Sequence, residues 1–270
     1  MKYNNVNFLC LLTLFVMISC TDKNKMNMHN TNSIEYISTM QADNNIDGLL
    51  VSYAIYDDNW NFIEGRIKQV NKEINFKNKD HKNLIVCIWV DNSSIYKFNF
   101  EDAAINANYE NINCIENNEA YFAVLNSNDD ININVDKIQL NSPFTIICLN
   151  AIDLEDAKIA GFSENNNVQF LVDRYSKFSF KTLDVYDKVV SCSIFNIKNI
   201  QDDSIIKKCI VFAPKDKSVD NSIKISYGNY EKILYNIPFI RGNNLIVNGN
   251  FLTSDVELNI KIIPEFLCNL

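Results

Sequence analysis

A chain of 270 residues with 25 basic against 33 acidic side chains carries a formal net charge of −8, which excludes the basic surface that nucleic acid or an anionic bilayer would require. Its two histidines cannot supply a usual zinc site, and no P-loop, G-x-G-x-x-G or G-x-S-x-G stretch is present. The expectation is a protein that is not an enzyme, with no cofactor and no nucleic-acid partner.

The first element in chain order is an apolar run over residues 8–18, preceded by Lys2. It is too short to span a bilayer and has the length of a signal-peptide core. The run closes on Met17-Ile18-Ser19-Cys20, which resembles the lipobox of bacterial lipoproteins: a long or branched apolar residue, a small residue, then the cysteine that is acylated. That resemblance implies a signal peptide over 1–19 and a membrane partner reached through lipidated Cys20. Each buried methylene would add about 0.8 kcal/mol of affinity, so no transmembrane helix is needed. Removing Lys2 leaves 24 basic against 33 acidic side chains, or −9. Residues 20–32 are expected to be a flexible tether, because "TDKNKMNMHNTN" has almost nothing to bury.

From residue 33 onward, short apolar runs alternate with polar turns at the spacing of an all-β sandwich. Ile, Tyr and Phe favour strands, and the abundant Asn supplies turns. "LLVSYAIYDD" alternates along its length, while "NLIVCIWVDN" is nearly continuous, which predicts a strand covered on both faces. "EAYFAVLN", "VDKIQL", "FTIICLN", "VQFLVD", "VVSCSIFNI", "IIKKCIVFA", "SIKISYG", "EKILYNI", "NLIVNGNFLT" and "VELNIKII" continue the series. The polar stretch over 126–137 and Pro143 at the head of a new run place a division near residue 136, giving two domains over 33–136 and 137–270. In "NAIDLEDAKIAGF", Asp153 is positioned to cap a short helix, Glu155 and Asp156 lie in its first turn, and Gly161 can stop it. The last run sets Val256, Leu258, Ile260 and Ile262 on one face against Glu257, Asn259 and Lys261. It is either the closing strand of its own sandwich or a strand offered to a partner.

Other side chains point to little chemistry. Asp43, Asn45, Asp47 and Gly48 have the opening spacing of a calcium loop, but the twelfth position is Ala54 where a bidentate Glu belongs, so a polar turn is expected. His29 lies in the tether and His81 in a charged turn. Once Cys10 leaves and Cys20 is lipidated, Cys87, Cys114, Cys148, Cys192, Cys209 and Cys268 remain, enough for fifteen disulfide connectivities. Four of them sit inside apolar runs, which favours buried thiols acting as small hydrophobes. Trp89 belongs to the most apolar run and is expected in the core, whereas Trp60 follows a polar turn and is a candidate for stacking on a sugar.

The closing segment "IPFIRGNNLIVNGNFLTSDVELNIKIIPEF" resembles the final motif of the fimbrillin-type lipoproteins of Bacteroidota, with Pro238, Arg241, Gly249, Asn250, Leu252, Thr253 and Phe266 at matching positions. Upstream, "YAIYDDNWNFIEG" is similar to that family's early hairpin, "KNLIVCIWVDN" to its strand with Trp89 and Asp91, and "NEAYFAV" with "IQLNSPFTIICLNAIDLEDAKIAGF" to its link, Pro-Phe strand and helix. Ser142 and Gly242 replace a basic residue and an Asn usual there. The resemblance implies two tandem transthyretin-like Greek-key β-sandwich domains, with one short helix in the second. It also implies an outer-membrane, cell-surface location and fimbrial subunits or surface ligands of host or bacterium as partners. Contacts in this family form by β-strand addition to an open sheet edge. Stalk subunits are matured by cleavage after an arginine close to the first strand; here the first arginine is Arg66, which favours an anchor or accessory role. A lipid-anchored module for glycan or nutrient binding is the alternative. Replacing Cys20 with Ser should release the mature protein from the membrane fraction into the soluble one, and mass spectrometry of the wild-type N-terminus should find residue 20 acylated.

Overall fold

The β-branched and aromatic runs do form strands. In the computed structural model, residues 35–36, 48–79, 83–109, 119–162, 167–196, 205–216, 218–227, 230–253 and 258–264 are described. Cys20, His29, Asp43, Asn45, Asp47, His81, Cys114, Val256, Phe266 and Cys268 lie outside them. The strands before residue 136 are β1 (Glu35–Tyr36), β2 (Leu50–Asp57), β3 (Phe62–Gln69), β4 (Glu73–Phe76), β5 (Leu84–Asp91), β6 (Tyr96–Asn99), β7 (Ala104–Ala107), β8 (Ala120–Ser127) and β9 (Ile131–Asn134). After it come β10 (Phe144–Ala151), helix α1 (Leu154–Ile159), β11 (Asn167–Ser179), β12 (Asp184–Asn196), β13 (Ile205–Phe212), β14 (Ser218–Tyr227), β15 (Tyr230–Phe239), β16 (Asn243–Gly249) and β17 (Leu258–Pro264). All belong to one contact unit, Asn32–Leu270.

The first sheet has the order β1-β8-β5-β2-β3, and β4 pairs with β9 beside it. Along β5 the side chains part by parity. Leu84, Val86, Ile88 and Val90 join Ile74, Ile131 and Ile133 of the β4–β9 pair in one core, while Cys87 and Trp89 enter a second. The continuous run therefore reads as expected, a strand with both faces covered. Strand β2 differs from the one-sided alternation expected of it: residues 51–56 are all buried, because the same two layers cover it. Its Ser52 is accommodated by accepting the Lys68 N–H at 3.0 Å. At the β2–β3 turn the Asp57 carboxylate accepts the N–H groups of Asn59 and Asn61 at 2.9 and 2.8 Å, and Trp60 takes φ +64°.

A six-stranded sheet follows the order β15-β14-β11-β7-β6, with β12 also paired to β11. Strand β11 organises it. One edge pairs with β12 from Asn167↔Asn196 to Ser179↔Asp184. The other edge is shared: residues 169–172 pair with β14, and residues 177–179 pair with β7. This sheet spans the expected division at 136, which itself falls in a 3-10 turn, Val135–Lys137. That turn replaces the strand expected over "VDKIQL", because the Asn134 side chain accepts the Asp136 N–H and bends the chain. Strands β1, β4, β6, β7 and β9 are additional to the expected series.

The fourth sheet, β13-β10-β16-β17, contains a parallel pair, β10 with β16. Strands β10 and β13 give one face to each of two cores. Phe144, Ile146, Ile210 and Phe212 meet Trp89, Tyr96, Phe122, Phe178 and Phe180 in the junction core. Ile147, Leu149, Cys209 and Val211 meet Val168, Phe170, Ile223, Leu234 and Val247 in a C-terminal core. Trp89 is the hub of the junction, with ring centroids 5.4 Å from Tyr96, 6.0 Å from Phe178 and 6.1 Å from Phe212.

The expected helix is present as Leu154–Ile159, and Gly161 follows at φ +96° as its left-handed stop. One element of that expectation is corrected: Asp153 holds the N-cap position but its side chain makes no cap bond, being engaged elsewhere.

Near the end of β5, Lys68 Nζ donates to Asp91 Oδ1 at 3.0 Å and to the Ser93 carbonyl, and the Asp91 carboxylate accepts the Ser93 N–H at 2.7 Å. Burial pushes the Asp91 carboxyl up, and Lys68 and Ser93 pull against it. A carboxyl raised on folding gives stability that is complete below its unfolded pKa and is lost as pH rises through the folded one. The unfolding free energy of the wild type minus that of Asp91→Asn, from urea titrations, should therefore fall as pH rises above about 3.9, the ordinary aspartate value. A difference that rises there would mean that Lys68 outweighs burial.

Candidate functional site

The residues singled out by the closing motif gather around the link between β15 and β16 and the turn after β16. Arg241 is nearly buried there. Its Nε and Nη2 donate to the Ala213 carbonyl at 3.1 and 3.0 Å, and Nη1 donates to the Leu183 carbonyl at 2.7 Å. Asp184 Oδ1 lies 3.7 Å from Nη2. The guanidinium carbon stands 5.5 Å from the centre of the Phe178 ring and 6.0 Å from that of Phe122, at cation–π distance. Burial draws its pKa down to about 10 against the opposing pull of Asp184 and Asp216, so it is charged at neutral pH. Arg241 thus fastens the end of β13 and the β11–β12 connection to the junction core, through backbone acceptors.

Gly242, where the family usually has Asn, adopts φ +67° and donates its N–H to the Phe144 carbonyl at 2.7 Å. Asn and Gly are the two residues that enter this left-handed region most readily. The departure from the family pattern is therefore conservative in backbone terms. Thr145 Oγ1 lies 2.8 Å from the Ile240 carbonyl and 2.9 Å from that of Asn243, on either side of the same turn. Ser142 Oγ, the other departure, accepts the Phe144 N–H at 3.4 Å.

The second half of the motif is held by Asp153. Its buried carboxylate accepts the N–H groups of Phe251, Leu252 and Thr253 at 3.0, 2.8 and 2.7 Å, and the Thr253 hydroxyl at 2.9 Å. Three successive amides on one carboxylate fix the turn that leads out of β16. The helix goes without its side-chain cap as a result. Sequence reasoning identified both groups but not that they meet, since 100 residues separate Asp153 from Thr253.

Strand β17 pairs antiparallel with β16 from Gly249↔Leu258 to Asn243↔Pro264. The candidate partner-strand residues Leu258, Ile260 and Ile262 stand opposite Gly249, Val247 and Leu245; Val256 lies outside the described residues. Among the described strands, none pairs with the far edge of β17.

Trp60 packs against Tyr56 at 5.6 Å, and Lys181 Nζ lies 5.9 Å from its ring centre. Phe62 beside it is 44% exposed and stacks on Phe100 at 4.8 Å. Trp89 is buried in the junction core, as expected. None of Cys87, Cys148, Cys192 and Cys209 forms a disulfide. Among the described residues, no group of three His, Cys, Asp or Glu side chains is placed to hold a metal, and no helix is long and apolar enough to cross a membrane.

No protein-family model and no curated protein matches the chain. Solved structures that it is similar to carry fimbrial, adhesin and polysaccharide-binding descriptions. One is a proposed polysaccharide-binding protein (DUF1812) from Bacteroides thetaiotaomicron, 10% identical, with a TM-score of 0.49 over 80% of this chain and 90% of that one. Another is the fimbrial anchor protein Mfa2 from Porphyromonas gingivalis, 10% identical, with a TM-score of 0.47 over 84% of this chain and 94% of that one. A third is a proposed adhesin from Bacteroides ovatus, 9% identical, with a TM-score of 0.46 over 79% of this chain and 87% of that one.

Substituting Asp153 with Ala removes the carboxylate that three amides share, two of them buried, and should cost about 3 kcal/mol in urea unfolding. Thr253→Val, which removes a single hydroxyl, should cost about 1 kcal/mol.

Proposed function

We propose that this chain is a lipid-anchored protein of the outer membrane and cell surface, of the fimbrial anchor or accessory kind. It acts in pilus assembly or adhesion through β-strand contacts with fimbrial subunits or surface ligands, without enzymatic chemistry. In this reading Cys20 carries the lipid, residues 20–32 are the tether, and residues 33–136 and 137–270 are tandem transthyretin-like halves that share the β11 sheet.

The observation that carries the reading is the place of Arg66. It lies in β3, with β2 before it, and β2, itself buried on both faces, is the strand between β5 and β3. Cleavage after Arg66 would take β2 from that sheet together with Val51, Tyr53 and Ile55, all of them core residues. In this reading the chain is not matured by the arginine cleavage that opens a groove in stalk subunits. A chain that keeps its first strands engages partners by its outer edges, and β17 offers one whose in-chain edge is already paired.

The test is in cells. With a photo-crosslinking residue in place of Lys261, the expected product is a membrane-bound adduct to a second β-rich envelope protein, and deletion of the gene should reduce piliation or adhesion. Unchanged piliation and adhesion on deletion, together with no adduct, would overturn the proposal. Binding of a polysaccharide that is lost in Phe62→Ala would replace it with the glycan-binding alternative, for which the exposed Phe62 ring, stacked on the half-buried Phe100, is the platform.

A further inference from the structure

The inward row of β11 reads Val168, Phe170, Val172, Arg174 and, four residues on, Phe178. A cation thus takes a place otherwise given to core hydrophobes, and Arg174 is only 4% exposed. Its Nη2 donates to Cys209 Sγ at 3.0 Å, and its guanidinium carbon lies 5.0 Å from the centre of the Tyr109 ring. Its Nε has no acceptor. Among the described residues, no carboxylate stands within ion-pair distance of it.

The site falls where the ladder of β11 is interrupted, between the stretch paired with β14 and the stretch paired with β7. Tyr109 fills that gap and donates its hydroxyl to the Tyr175 carbonyl at 3.0 Å. Arg174 and Cys209 are consequently sealed between β11, β13 and Tyr109.

A guanidinium does not lose its proton in a protein, and a buried cation left without an anion costs several kcal/mol. The charge must be answered locally. Among the described residues, three ionisable groups face this point: the Cys209 thiol on β13, the Tyr96 hydroxyl on β6 and the Tyr109 hydroxyl beyond β7, with Asp91 acting on Tyr96 from the end of β5. Burial pushes both phenols well above their ordinary range, which removes them as anions. A thiol begins near 8.5, the lowest of the three, and an adjacent arginine stabilises its ionised form. Burial acts the other way on an isolated thiol. Here, however, ionisation converts a lone buried charge into a neutral pair, and low polarity favours the pair.

We propose that Cys209 is held as a thiolate at neutral pH, the counter-anion of Arg174, forming a buried guanidinium–thiolate pair that ties β13 to β11. The inference is independent of the proposed function. It gives Cys209 a role different from that of Cys87, which has only burial around it and whose thiol is pushed well up.

The test is the absorbance of thiolate near 240 nm, followed as the folded mature protein is titrated with acid and corrected by subtracting Cys209→Ser. The expected difference is one thiolate present at neutral pH, with a midpoint at least about one unit below the ordinary 8.5, moved upward in Arg174→Gln. A midpoint at or above 8.5, or no step over the folded range, overturns the proposal. Melting temperatures give a second reading that does not depend on the fold of any one variant. Cys209→Ala alone strands the cation, so it should melt lower than the double variant Arg174→Met with Cys209→Ala. A double variant that melts at or below Cys209→Ala also overturns the proposal.

Discussion

The fold depends on aromatic burial at the junction between its two halves. Trp89 arrives from β5, Phe144 from β10, Phe178 from β11 and Phe212 from β13, and Phe144 stacks on Phe212 at 5.2 Å with the planes 7° apart. Truncating a buried aromatic of this size typically costs about 3–5 kcal/mol, a large part of the stability of an ordinary domain. Residues from before and after position 136 therefore stabilise one another. The six-stranded sheet follows from the same constraint, because β6 and β7 can cover this core only by continuing the sheet that β11 begins.

Around that core, the polar groups of the closing segment and those that face it serve the backbone. Arg241 ends on two carbonyls, Asp153 on three amides, and Thr145 on a pair of carbonyls flanking Gly242. A motif whose polar members recognise main chain places few demands on the side chains between them. It also shows why polar residues in such a pattern need not mark a ligand site.

The sequence disclosed most where a single strand decides the outcome. The unbroken run of β5 announced two covered faces, Pro143 announced the start of β10, and Gly161 announced the end of α1. It disclosed less where pairing is non-local. Strands β4, β6, β7 and β9 are four residues long, and "ININ" alternates Asn with Ile, so it reads as polar turn although Ile131 and Ile133 are core residues. Strand β2 alternates in residue type, yet its polar positions are buried because two layers converge on it. The meeting of Asp153 with Thr253, and of Arg174 with Cys209, could not be read from spacing, since each pair is created by the order of strands in the sheets.

The shared edge of β11 has a mechanical corollary. A strand that pairs with β12 along its length, and with β14 and β7 on its other side, resists tension along its own axis by shear, with many ladder bonds strained together. Peeling a terminal strand breaks them one after another. Load carried along β11 would be spread over both cores at once.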